Sequence, residues 1–181
     1  MATARVQAHM NADIALLVLR VVVGGVVMQH GLLKLGWVGT GGSIKGVAGW
    51  FNGMGLKPGL FWALVAVAAE AGGGLLMVLG LGGPLGPAFL AGDMVVVTVI
   101  AHVPQGFWAG GGKVGWEFPL PLAAGAFAVA LLGNGTWSLD GFLGLTYSDQ
   151  TRWIWLAIVA VGVVAALGSK MAFAPKKAAT G

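Results

Sequence analysis

The chain contains no cysteine in its 181 residues. That excludes disulfides, thiolate metal sites and any redox mechanism running through its own thiols. Charge is scarce as well. Asp, Glu, Lys and Arg make up 9% of the residues and hydrophobic residues 57%, whereas a water-soluble domain carries roughly a quarter charged residues. Such a chain cannot cover itself with polar surface, so a lipid bilayer is its solvent. No HxxxH or ExxH pair exists and the seven methionines are scattered, so no metal site is expected. No strand precedes any glycine run, so no phosphate-binding loop is implied. The net charge of +4 is no footprint for nucleic acid. Its lysines lie in short loops and at the C-terminus, where they orient a membrane protein.

A crossing needs about 20 mostly apolar residues. Five segments meet or approach that length: about 13–35, 59–82, 85–107, 117–133 and 151–169. The run from Ile14 to Met28 is interrupted by Arg20 with no small-residue cleavage site after it, and it reads as a retained helix. Breaks fall at Pro58-Gly59, Gly82-Gly83-Pro84, Gly110-Gly111-Gly112 and Gly133-Asn134-Gly135. The fourth segment is the shortest, with Pro119 and Pro121 in its first turn, where a missing N–H costs little. Between the first two crossings, Ile44, Val47, Trp50, Phe51 and Met54 share one face at helical spacing. With Ser43 as cap, the stretch near 43–54 predicts a short interfacial helix, the alternative being a glycine-loosened loop. The chain thus divides into a tail at 1–12, a membrane domain at 13–147, an added crossing at 151–169 and a basic tail at 170–181.

Lys34, Lys45, Lys57, Lys113 and the C-terminal lysines fall at one end of this arrangement, and Arg5 and Arg152 at the other. Tryptophans form a belt at each end. The positive-inside rule places the lysine end in the cytoplasm of a bacterial or archaeal cell, with the N-terminus outside. Glycines inside the spans, as at Gly24-Gly25 and Gly72-Gly73-Gly74, suit close helix approach. Asn134-Gly135-Thr136 fits a glycosylation pattern that three residues produce often by chance.

Ionisable residues inside the spans carry the chemistry. Each costs roughly 2.5–3.5 kcal/mol at mid-bilayer, so Arg20, His30, Glu70, Asp93 and His102 should point inward. At 1.5 Å per residue, Arg20 lies roughly 11 Å, Asp93 about 14 Å and Glu70 about 18 Å below the non-lysine surface. These three are expected to meet as an arginine with two carboxylates, either a structural lock or a proton site. The stretch AHVPQGFWAGGGKVGWEFPL sets His102 and Glu117 at the two lips of one loop, with Trp116 beside them and His30 at the same depth. His30, His102 and Glu117 are either boundary residues bonding to loop carbonyls or a polar pocket for the head group of a lipid-soluble molecule.

At these residues the chain resembles the DoxX family, small membrane proteins related to a subunit of thiosulfate:quinone oxidoreductase. The resemblance rests on LRVVVGGVVMQHGLLKL, VAGWFNGMGLKPG, AVAAEAGGGLLMVLGL, AHVPQGFW with WEFPLPL, and LGNGTWSLDGFL, in order from about 16 to 143. It implies an all-α fold, a compact four-helix transmembrane bundle, with the fifth C-terminal helix as a docking or anchoring addition. The family's recurrent polar positions match Arg20, His30, Glu70, His102 and Glu117, whereas Asp93 is not part of that pattern. The family's association with quinone-reducing complexes implies a membrane subunit of a quinone-linked oxidoreductase. Quinone is then the expected cofactor, held by His30, His102, Trp116 and Glu117, with Glu117, His102 and His30 as proton donors. Lacking thiols, a haem-attachment motif and a dinucleotide fingerprint, the chain would take its electrons from a partner subunit, and a homo-oligomer is compatible with this arrangement. The alternative is a non-catalytic membrane anchor or assembly protein recruiting a redox or metal-handling partner. A small transporter ranks third, since the halves show no inverted repeat.

Overall fold

A computed structural model describes residues 2–174; Lys176 and Lys177 of the expected basic tail lie outside the described residues. These residues are mostly helical and, among them, no strand forms. α1 (Ala2–Leu19), a π-helical turn (Arg20–Gly24) and α2 (Gly25–Leu35) make one continuous rod. The rod begins well before residue 13, because residues 2–12 hold neither proline nor glycine to stop it. α3 (Ile44–Gly53) is the predicted interfacial helix, with the Ser43 hydroxyl accepting from the Gly46 amide at 3.1 Å. α4 (Gly59–Val67), a π turn (Ala68–Gly73) and α5 (Gly74–Leu79) form the second rod. α6 (Leu85–Val97) and a π turn (Thr98–His102) form the third. α7 (Pro119–Leu132), the short α8 (Leu139–Leu143) and α9 (Asp149–Phe173) follow and are the last helices among the described residues.

Among the described residues, four helical stretches are long and apolar enough to cross a membrane: His9–Leu35, Gly59–Leu79, Leu85–Gln105 and Asp149–Phe173. The segment expected at 117–133 is α7, of 14 residues, or about 21 Å against a hydrocarbon core of about 30 Å. Pro119 and Pro121 fix its start and Gly133, at φ 90°, ends it. α7 packs along α6 with Ala126, Val129 and Ala130 wholly buried.

Small residues set the spacing of the rods. A Cβ on Gly74 would sit 2.8 Å from the Met28 Cβ and 2.9 Å from the Gly24 carbonyl oxygen. A Cβ on Gly86 would sit 2.7 Å from the carbonyl oxygen of Gly73. The first rod therefore touches the second, and the second the third, through backbone. Gly72, two residues before Gly74, has no neighbour within 4 Å of such a Cβ. Gly74→Ala is expected to lower the melting temperature in detergent, through about 1–3 kcal/mol of overpacking, and Gly72→Ala to leave it unchanged or raise it slightly. Equal melting of the two variants would contradict this crossing.

A polar knot closes the end away from the lysines. Arg20, 1% exposed, donates to the carbonyl of Asn134 and to that of Trp137 at 2.7 Å. Asp140 accepts from the amides of Gly82 (3.0 Å) and Gly83 (2.8 Å), from the Asn134 side chain (2.7 Å) and from the Tyr147 hydroxyl (3.2 Å). Asn134 is buried with its nitrogen bonded, which makes the Asn-Gly-Thr triplet no sugar acceptor. Burial, then the charge and hydrogen bond of Asp140, raise the Tyr147 phenol above its ordinary range. Tyr147 is the single tyrosine, so an alkaline absorbance titration reads it alone. Its midpoint should lie above that of a free tyrosine and fall in Asp140→Asn; the same midpoint in both proteins would rule the contact out.

Candidate functional site: a polar cluster in an apolar cavity

Glu70 lies in the π turn of the second rod and is 2% exposed. Its charge partner is Lys34 of α2, whose ammonium donates to Glu70 Oε2. Helical side chains lean toward their own N-terminus, and these two rods are antiparallel, so the two residues lean toward each other. Gly31 touches Ala71, which puts Lys34 one turn past the level of Glu70, within reach of its four-carbon stem. On the third rod, the Asp93 carboxyl stands close to that of Glu70. The second oxygen of Asp93, Oδ2, is buried and has no partner among the described residues.

The expected meeting of Arg20 with Glu70 and Asp93 does not form. Gly80 stands beside the Arg20 guanidinium, and Glu70 lies ten residues back along that rod, about 15 Å away. Arg20 also leans toward its own N-terminus and finds loop carbonyls there, while Glu70 leans the other way. Counting depth from the ends of each apolar run missed this, because the rods are of unequal length. Lys34 was missed because a lysine at the end of a span reads as a surface charge. Its place four residues after His30, on the same face and leaning inward, was the available signal.

His30, Lys34, Glu70, Asp93 and His102 all line one cavity of about 410 Å³. The remaining lining is apolar or aromatic, with Trp50 and Phe51 of α3, Trp62 of α4, and Val159 and Gly162 of α9 among it. This volume and this pattern, an apolar chamber with a few convergent polar groups, suit a small organic ligand. His30 is exposed, lines the chamber and makes no hydrogen bond among the described residues. His102 Nδ1 lies 2.9 Å from the Val114 carbonyl and 3.2 Å from that of Gly115. Both partners only accept, so Nδ1 carries a proton and Nε2 is the nitrogen left for exchange.

The structure brings His30 and His102 to the cavity but not Trp116 or Glu117. Glu117 Oε1 accepts from the Ala109 amide at 2.7 Å, and Trp116 lies edge-on to Phe107 with ring centroids 4.5 Å apart. Both residues also pair through backbone with Gly106 and Phe107, so they clasp the hairpin of residues 106–117. The two lips of that loop therefore hold titratable groups with different tasks. Glu117 fixes its fold, and His102 ties it to the chamber.

Among the described residues, no three His, Asp or Glu side chains converge as metal ligands. Removing one member of a buried ion pair strands the other and costs roughly 3–5 kcal/mol. Lys34→Met and Glu70→Gln should each melt well below wild type, and the double variant should recover much of the loss. Strict additivity in this cycle would remove the pair. Arg20→Gln combined with Glu70→Gln, by contrast, should be additive.

No curated protein and no solved structure matches the chain. The DoxX family model matches residues 15–103. That interval holds Arg20 and all five polar residues of the chamber, and it stops before Trp116, Glu117, α7 and α9. Over residues 15–103 the chain is a DoxX-family domain.

Proposed function

We propose that the protein is a membrane subunit of a quinone-linked oxidoreductase, and that its chamber holds the head group of the quinone. The observation that carries this reading is the chamber itself: five polar side chains against otherwise apolar walls, in a protein that lives in lipid. The donor set fits such a head group. A ring with two carbonyl oxygens needs hydrogen-bond donors, and His30, His102 Nε2 when protonated, and a protonated Asp93 are available ones. The unpartnered Asp93 oxygen is the kind of buried polar atom that a ligand satisfies.

A bound quinone takes up electrons together with protons. This chain has no thiol to supply the electrons, so they come from a partner subunit. Its own residues handle the protons. Asp93 and Glu70 share one at membrane depth, Lys34 balances the remaining carboxylate charge, and His102, pinned through Nδ1, exchanges a proton only at Nε2. With the lysine end in the cytoplasm, the N-terminus outside and the C-terminus inside, the mouth of the proton path lies on the cytoplasmic side. The site differs from the one expected around Glu117, and that difference is testable.

Binding is measured by quenching of tryptophan fluorescence in lipid nanodiscs, titrating with a benzoquinone and a naphthoquinone. Asp93→Asn and His30→Leu should weaken the binding at least about tenfold, and Glu117→Gln should leave it unchanged. Loss in Glu117→Gln with Asp93→Asn unaffected would return the site to the hairpin. Absence of binding in the wild-type protein would favour the anchor reading, in which the buried charges serve the fold alone.

A further inference from the structure

α9 lies outside the interval that matches the DoxX family, yet it builds one wall of the chamber through Ile158, Val159, Gly162, Val163 and Ala166. Its attachment is one-sided. It docks on α6, where a Cβ on Gly92 would collide with Val159 and the Phe89 and Trp155 rings lie 6.1 Å apart. Its last turns reach the α3–α4 turn, where the Ser169 hydroxyl accepts from the Lys57 amide at 3.0 Å and donates to the Lys57 carbonyl at 3.1 Å. Lys170 donates to the Ile100 carbonyl at 3.0 Å, inside the π turn that ends at His102. Above that closure α4 and α9 stand apart, and the chamber fills the gap between them. The residues at its rim, Val65 of α4 and Ile158 of α9, are exposed and apolar, as a surface facing lipid would be.

We propose that the gap between α4 and α9 is a lateral entrance from the bilayer, and that α9 is the wall along which the apolar chain of the ligand lies. The occupant is an amphiphile dissolved in the membrane, with a hydrogen-bonding ring at the polar cluster and an alkyl or isoprenoid chain leading out past α9. This rests on the quinone reading and adds to it the selection of the chain. Gly162 lines the chamber at its exposed edge, and nothing lies within 4 Å of the position a Cβ would take, so there is open space for a larger side chain at the mouth of the slot. A larger side chain there fills the path of the chain without touching His30, Glu70 or Asp93.

The test uses the full chain in nanodiscs with Gly162→Leu and Gly162→Phe. The probes are a benzoquinone and a naphthoquinone, each as the bare ring and as the same ring bearing a decyl chain. Wild type should bind the chain-bearing probe at least about tenfold more tightly than the bare ring. Both variants should lose that preference, keep the bare-ring affinity, and melt within a few degrees of wild type. The proposal is overturned if wild type binds ring and chain-bearing probe equally, or if both variants keep the preference. Failure of both variants to fold would also overturn it, since it would show the space beside Gly162 to be filled. Failure of wild type to bind any probe would instead overturn the quinone reading on which the proposal rests.

Discussion

A charge that enters hydrocarbon has to be answered from inside the protein, because no water is there to answer it. That constraint shapes this bundle twice, with opposite results. At one end Arg20 is wholly buried and spends its guanidinium on the carbonyls of Asn134 and Trp137. Those carbonyls belong to a loop that Asp140 also holds, through the Asn134 side chain, while it accepts from the amides of Gly82 and Gly83 in the turn between α5 and α6. One arginine therefore joins the first rod to the α7–α8 loop, and one aspartate joins that loop to the second and third rods. Nearer the other end, Lys34 pairs with Glu70, but the group is left one partner short at Asp93 Oδ2.

The backbone adapts to these charges. Each of the three rods in the matched segment contains a π-helical turn, and Arg20, Glu70 and His102 each lie within one. A π turn adds a residue to the helical repeat and frees a carbonyl, and such turns gather at functional positions. Here the exposed carbonyls are partly taken up by other groups. The Thr98 hydroxyl turns to the Met94 carbonyl at 2.6 Å, and Lys170 reaches the Ile100 carbonyl. The same rods meet through Gly24, Gly73, Gly74 and Gly86. Without a hydrophobic drive between helices in lipid, close backbone contact and polar bonds supply the association.

Sequence made the class of the molecule legible, since apolar runs, proline and glycine breaks and a capping serine are local features. α3 follows from the face shared by Ile44, Val47 and Phe51 together with the Ser43 hydroxyl, all within one short stretch. Pairing was harder to read. Arg20 and Glu70 sit at similar nominal depths when counted from span ends, but the crossing of Gly24 with Gly74 fixes a register that separates them. Lys34 and Glu70 are 36 positions apart, and no period links them. The π turns leave no signature in composition, and each shifts the face that later residues present. Glu117 misled for a related reason: a carboxylate beside an apolar run looks membrane-facing until the hairpin places the Ala109 amide against it.

The two polar clusters differ in what they open on. In the knot around Arg20 and Asp140 each Asp140 oxygen accepts two hydrogen bonds from amides or side chains, while Arg20 Nε and Asn134 Oδ1 are buried without a partner among the described residues. A network tied to this many backbone groups rigidifies a fold. The cluster around Glu70 leaves one buried oxygen, Asp93 Oδ2, unpartnered among the described residues, and it opens on the larger, apolar chamber. Proteins break their local rules mainly where they work. An orphaned carboxyl oxygen in the wall of an apolar cavity, with the unbonded His30 imidazole in the same wall, is such a break.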